Sequence, residues 1–178
     1  MEPKGPGDKK GFEKEPEVIT VDQHEVMKVI ETGDIGGTTD LGNCFGVIIY
    51  NPEDKRAIVG HFISPKDTME FANMLDEAQK LFKTTERLRV FVGGNTPEVD
   101  VLSHAKHDDA ARGFLDDKEL AVLSNLEGSS KENREFVESK LREKGFQVTK
   151  ISYAQPSEST ILRIDTRTGN VEYLTEEE

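Results

Sequence analysis

The order of hydrophobic and polar positions predicts a mixed α/β domain in which short strands outnumber helices. Apolar residues alternate or run together in short stretches, which are the predicted strands: 18–21, 25–30, 44–50, 57–63, 87–92, 146–153, 159–165 and 170–174. Apolar residues recur at helical spacing from Met69 to Phe82, and a narrower helical face runs over 131–144 before Gly145. The Gly- and Thr-rich stretch 33–43 is predicted to be a loop.

The strands on either side of the turn Asn51 to Lys55 are predicted to form a β-hairpin. If the loop has four residues and begins at Asn51, then Tyr50 pairs with Lys55. That register places Cys44 opposite His61, whereas a longer loop shifts the pairing by one or two positions. In the first register the two side chains leave one face of the sheet with Cβ atoms roughly 4.5–5.5 Å apart.

Composition then excludes several classes of function. The chain has 178 residues, a net charge of −12 and a sequence pI near 4.9. A nucleic-acid or anionic-membrane binder needs clustered Lys and Arg, and the sequence has no basic stripe. The apolar runs are too short to cross a bilayer, and no signal peptide follows Met1. We therefore expect a soluble, cytoplasmic protein with no nucleic-acid or membrane partner.

A single domain is expected to span residues 17–175, because the sequence shows no internal repeat and no second core. Residues 1–16 are almost all charged, Gly or Pro, and we predict a disordered tail there. Residues 96–128 are polar and lack a sustained period. His104 and His107 lie in this stretch, and we interpret them as part of a solvated loop rather than a metal site.

The only cysteine, Cys44, is the candidate reactive group. One cysteine excludes an internal disulfide and any multi-cysteine metal site, which leaves packing or reactivity. A small buried hydrophobe is the more common role, and Asp40 and the acidic composition tend to raise a thiol pKa. A nucleophilic cysteine instead needs a base such as His61, because the thiolate attacks. We expect an activated thiol to be alkylated at low pH, and more slowly in His61→Ala.

Residues just before Cys44 can supply the other groups that a nucleophile needs. Gly42 and Asn43 can bring backbone N–H groups near the sulfur, where they would stabilise an oxyanion. Thr38 and Thr39 lie further upstream, and either hydroxyl can hold the second imidazole nitrogen.

The sequence around the cysteine resembles the CheD family of chemoreceptor glutamine deamidases. The matching residues are Thr38-Thr39-Asp40-Leu41-Gly42-Asn43-Cys44, Phe45-Gly46-Val47-Ile48-Ile49-Tyr50, Gly60-His61 and Pro65. The family carries T-x-x-L-G-S-C before a strand, then a histidine followed by a proline. The spacing from Cys44 to His61 fits this pattern, and a fainter resemblance extends over residues 18–174.

The resemblance implies a cysteine-dependent protein-glutamine deamidase, an amidohydrolase that converts Gln to Glu. The implied site consists of the nucleophile Cys44, the base His61, the orienting Thr38, and an oxyanion segment at Gly42 and Asn43. It includes no metal and no organic cofactor. The implied fold is an α/β arrangement of central packed β-sheets with helices on the outside. The implied substrate is the cytoplasmic helical part of chemoreceptors, and a chemotaxis phosphatase is an implied partner.

Three departures from the family leave other functions open. Asn43 replaces the usual serine, residues 155–158 replace a Gly-Gly followed by an arginine, and residues 96–130 form a longer segment. One alternative is a catalytically silent CheD-like binding module in chemotaxis signalling. The other is a deamidase of a different target protein.

Overall fold

A computed structural model describes residues 15–22, 25–41, 44–62, 69–94, 135–153 and 160–175. The strands are β1 (Val18–Val21), β2 (Met27–Ile30), β3 (Ile35–Thr38), β4 (Phe45–Asn51), β5 (Arg56–Phe62), β6 (Arg89–Gly94), β7 (Val148–Tyr153), β8 (Thr160–Asp165) and β9 (Asn170–Thr175). Helix α1 is Met69–Phe82, and helix α2 is described over 135–143.

Several sequence predictions concern residues outside these ranges. They are the tail up to residue 14, the polar segment 96–128, the altered segment 155–158, and the proposed oxyanion residues Gly42 and Asn43. Within the ranges given above, no helix is both long enough and apolar enough to cross a membrane.

The strands form two sheets. One sheet has the strand order β1-β3-β8-β9, and the other has the order β2-β5-β4-β6-β7. Neighbouring strands are antiparallel, except that β1 is parallel to β3 and β6 is parallel to β7. The fold is therefore mixed α+β, and this confirms the predicted fold class.

Strand β4 shows how the layers are arranged. All of its residues are buried, because both of its faces are covered. Phe45, Val47 and Ile49 belong to a cluster with apolar residues of α1 and α2. Ile48 and Tyr50 belong to a second cluster with residues of the four-stranded sheet. The five-stranded sheet thus lies between the described helices on one face and the other sheet on its second face.

Strand β3 lies in the stretch that was predicted to be a loop. Its two glycines allow close packing: a Cβ on Gly37 would lie 2.9 Å from the Leu162 carbonyl oxygen, and one on Gly36 would clash with the Ile30 side chain. β3 pairs in register with both β1 and β8. The loop prediction was wrong for these residues, because the glycines permit a crowded inner strand rather than a turn.

The β4–β5 hairpin forms as predicted, but its register differs. Asn51 belongs to β4, and Tyr50 pairs with Ala57 rather than with Lys55. The Asn51 side chain accepts a hydrogen bond of 2.9 Å from the Glu53 N–H, so it starts the turn from within the strand. Lys55 closes the turn with a left-handed φ of 52°. The pairing is therefore shifted by two residues.

Candidate active site

Thr38, Cys44 and His61 lie at one end of the space between the two sheets. Thr38 is the last residue of β3, His61 is next to last in β5, and Cys44 directly precedes β4. Ala57 and Val59, which share a strand face with His61, belong to the cluster between the sheets. The imidazole therefore faces the four-stranded sheet, and Cys44 packs against the same cluster.

A buried hydrogen bond joins Thr38 to His61. The distance from Thr38 Oγ1 to His61 Nδ1 is 2.7 Å, and the two residues are 0% and 4% exposed. The other candidate, Thr39, instead donates to the Asp40 carboxylate at 3.4 Å. His61 Nε2 is buried and meets no partner at regular hydrogen-bond geometry among the described residues, although the Val21 backbone is close enough to the ring to raise the His61 pKa. One ring nitrogen is thus fixed by a hydroxyl, and the other is available for a proton.

Gly46 is the strand partner of His61 and creates the room for this contact. A Cβ on Gly46 would lie 2.8 Å from both Thr38 Cγ2 and Leu41 Cδ1. That separation is too short for two carbon atoms, so any larger residue would displace Thr38. The predicted register did not pair Gly46 with His61, so the role of Gly46 is visible only from the observed pairing.

Cys44 does not lie directly opposite His61, which corrects the predicted pairing. Cys44 precedes the first paired residue of β4, and it packs against the cluster between the sheets. Cys44 is half-buried and is a free cysteine. The thiol and the imidazole therefore border the same space between the sheets without being strand partners.

The electrostatic setting keeps both groups neutral near pH 7. Burial raises the pKa of the Cys44 thiol above its ordinary 9.0, and the Asp40 carboxylate raises it further. Burial lowers the pKa of His61 below 6.5, although Asp22, Asp40 and a hydrogen bond with the Val21 backbone act in the opposite direction. A raised thiol pKa does not favour reaction at low pH, and the expected alkylation behaviour of Cys44 stays a prediction for experiment. The expectation that Asp40 raises its pKa agrees with the structure.

Gly94, at the end of β6, supports the chain on either side of the predicted oxyanion segment. It has a left-handed φ of 89°. A Cβ there would lie 2.5 Å from the Cys44 carbonyl oxygen and 2.8 Å from that of Leu41. Gly94 therefore fixes the position of the backbone that leads into the cysteine.

Within the ranges that the structure covers, no three His, Cys, Asp or Glu side chains are placed to hold a metal ion. His104 and His107, which the sequence analysis assigned to a solvated loop, lie outside those ranges. Of the glycines in the stretch Gly33 to Gly37, Gly36 and Gly37 lie in β3, and Gly33 lies in the turn before it.

No protein-family model and no curated protein matches the chain. Among solved structures, it is similar to the crystal structure of Bacillus licheniformis hypothetical protein YfiH, with 14% sequence identity and a TM-score of 0.42. The match covers 72% of this chain and 50% of that one. The chain thus spans half the length of the structure that it matches. Its candidate chemistry rests on its own residues and not on this likeness.

Proposed function

We propose that the protein is a cysteine-dependent protein-glutamine deamidase. The observation that supports this most strongly is the buried bond of 2.7 Å between Thr38 Oγ1 and His61 Nδ1. Nε2 has no partner at regular hydrogen-bond geometry among the described residues, and Cys44 packs against the cluster between the sheets that His61 also faces. A nucleophile, a base and a group that orients the base are the three parts of a covalent hydrolase site.

In the first half of the reaction, the thiol proton of Cys44 passes to His61 Nε2 as the sulfur attacks the carboxamide carbon of a glutamine. A C–S bond forms, and the carbonyl oxygen becomes an oxyanion. When the oxyanion collapses, the C–N bond breaks and the imidazolium gives its proton to the departing nitrogen. Ammonia leaves, and a thioester remains on the enzyme.

In the second half, His61 takes a proton from a water molecule while the water oxygen attacks the thioester. The C–S bond breaks, and the imidazolium returns the proton to the sulfur. The product is a glutamate side chain. The imidazole is neutral at the start and end of each half, and the thiol is neutral before the first half and after the second, which fits the directions of the two pKa shifts.

The identity of the substrate protein rests on the CheD resemblance. That resemblance favours the cytoplasmic helices of chemoreceptors, with a chemotaxis phosphatase as a second partner and the cytoplasm as the location. The sequence departs from the family at Asn43, the residue before Cys44, and at residues 155–158, so the main alternative within this proposal is a different target protein.

A catalytically silent binding module is the second candidate, and one observation favours it. The raised pKa of the Cys44 thiol means that very little thiolate is present at neutral pH. A cysteine with a purely structural role would also have a neutral thiol, as burial and Asp40 give Cys44 here. In that case the protein would bind a receptor or phosphatase without turnover.

The test uses the full chain and a purified receptor cytoplasmic fragment that contains glutamines. The proposal expects ammonia release and a matching Gln-to-Glu mass change in the fragment, both abolished by Cys44→Ser. Thr38→Val removes the hydroxyl and is expected to lower kcat/KM by about tenfold, while Thr38→Ser restores most of it.

Activity that survives Cys44→Ser would rule out the proposed nucleophile. Receptor binding without ammonia release, with the same Kd for the wild type and for Cys44→Ser, would favour the silent module. Ammonia release from other glutamine-containing proteins, but not from the receptor, would leave the chemistry in place and change the target.

A further inference from the structure

Thr160 carries a buried hydroxyl that the mechanism above does not use. It is the first residue of β8 and is 5% exposed. Its Oγ1 is buried and has no hydrogen-bond partner among the described residues. Buried hydroxyls nearly always have a partner, because an unpartnered one costs free energy on folding. This exception therefore calls for an explanation.

Thr160 lies next to the chain segment that leads into the candidate site, and its side chain faces the space between the sheets. Its carbonyl oxygen accepts a hydrogen bond of 3.2 Å from the Leu41 N–H. Along β8, Thr160 shares a face with Leu162 and Ile164, which both belong to the cluster between the sheets. Leu162 Cδ2 would lie 3.3 Å from a Cβ on Gly46. Thr160 is the next residue on that face, toward the chain that leads into the cysteine.

Thr166, near the other end of β8, shows what a structural threonine looks like in this fold. It is 0% exposed. Its Oγ1 accepts a hydrogen bond from the Gly33 N–H at 3.1 Å and donates to the Asp34 carbonyl at 2.7 Å. The fold thus satisfies one buried threonine hydroxyl, whereas that of Thr160 meets no partner within the part of the chain that the structure describes.

We infer that Thr160 Oγ1 binds the primary carboxamide of the substrate beside Cys44. The inference rests on the proposed function and adds the group that recognises the amide. A hydroxyl both donates and accepts, and a carboxamide offers a carbonyl acceptor and N–H donors. An ester of the same shape offers no N–H. Thr160 therefore makes the site selective for primary amides over esters.

The test uses two alkylating reagents that differ in this one group. Iodoacetamide carries a primary carboxamide, and methyl iodoacetate carries an ester. In both cases the Cys44 sulfur forms a bond to the CH2 carbon, iodide leaves, and the thiol proton is released. The measured quantity is the ratio of the two second-order rate constants, divided by the same ratio for a small free thiol. This assay requires no deamidase turnover.

The inference expects a normalised ratio well above one for the wild type, and a fall of about tenfold in Thr160→Val. Thr160→Ser keeps the hydroxyl and retains the preference. Thr166→Val is the matched control, because it removes a buried threonine hydroxyl far from the cysteine. It lowers the melting temperature and leaves the ratio unchanged, whereas Thr160→Val does not lower the melting temperature.

A normalised ratio that is equal in the wild type and in Thr160→Val would overturn the inference. So would a large loss of stability in Thr160→Val, because that would mean a structural bond. If Thr160→Val does not fold, the ratio in Thr160→Ala decides in the same way. Absence of ammonia release with an intact amide preference would count against the proposed function alone.

Discussion

At the scale of residues, His61 is held by a hydroxyl rather than by a carboxylate. An uncharged partner orients the ring without stabilising its protonated form, as an aspartate would. Burial acts in the same direction and lowers the imidazole pKa. The imidazole is therefore harder to protonate than a free histidine, and the Asp22 and Asp40 carboxylates provide the charge that favours the imidazolium.

Asp40→Asn tests the electrostatic part of this description. Removing the charge is expected to lower the pKa of the Cys44 thiol, because Asp40 is the second cause of its upward shift. Burial is the first cause, so the pKa remains above 9.0 in the variant. The measurement is the rate of Cys44 alkylation by iodoacetamide as a function of pH, whose midpoint should move down.

Asparagine is a suitable replacement, because Asp40 has a left-handed φ of 55° and asparagine tolerates that conformation. Asp76→Asn on α1 is the control, since Asp76 is paired with Lys144 and does not contribute to the thiol pKa shift. An equal midpoint in the wild type and in Asp40→Asn would contradict the assigned cause.

The types of residue in the site could be predicted from the sequence, but their exact neighbours could not. Cys44, His61 and Thr38 were singled out by their chemistry and by a resemblance. The register depended on whether Asn51 lies in the strand or in the loop, and its side-chain bond to Glu53 decides that. Thr160 is recognisable only once both sheets are known, because its neighbours come from distant parts of the chain.

At the scale of elements, the end of β6 supports the backbone near the cysteine through Gly94. Gly94→Ala is expected to destabilise the protein by roughly 2–5 kcal/mol, from a strained φ and from overpacking. It should also change the alkylation rate of Cys44, because the new methyl group would push against the Cys44 carbonyl oxygen. Urea unfolding and alkylation kinetics measure the two effects.

Gly33→Ala is the matched control for this substitution. Gly33 also has a left-handed φ, of 101°, but nothing lies within 4 Å of the position of its Cβ. Gly33→Ala should therefore lower the free energy of unfolding by only the conformational cost of about 1–2 kcal/mol. It should leave the alkylation rate of Cys44 unchanged. Equal losses of stability in the two variants would show that crowding at Gly94 has no effect.

Most strands and helix α1 could be predicted from hydrophobic periodicity, because their buried faces repeat along the chain. β3 could not, since the residues Gly36 and Gly37 have no side chains to form such a pattern. Their role is visible only from the atoms around them, such as the Leu162 carbonyl oxygen. Local sequence gives the same signal for a glycine in a turn and a glycine in a crowded strand.

At the scale of the whole molecule, the buried His61 links stability to pH. Its pKa is lower in the folded protein than in the unfolded chain, so the unfolded chain binds the proton more readily. The free energy of unfolding is therefore expected to fall as the pH drops below about 6.5. His61→Gln removes this titration, so its unfolding free energy should depend less on pH over that interval.

Urea unfolding of both proteins at pH 7.5 and at pH 5 measures the difference. Other groups titrate in both proteins, and their contributions cancel in the comparison. A wild type that loses no more stability than His61→Gln on acidification would mean that the imidazole is not shielded from solvent in the folded protein.

Thr38 belongs to the four-stranded sheet and His61 to the five-stranded sheet. The hydrogen bond that orients the imidazole therefore also connects the two sheets. At the far end of the interface, the Tyr50 hydroxyl donates a hydrogen bond of 3.1 Å to the Thr166 carbonyl oxygen. This bond is a second connection between the sheets. Under the proposed function, acylation of Cys44 that moves the ring away from Thr38 would therefore loosen only one edge of the interface between the sheets. Amide hydrogen exchange would then become faster in β1 and β3, although neither strand contains Cys44.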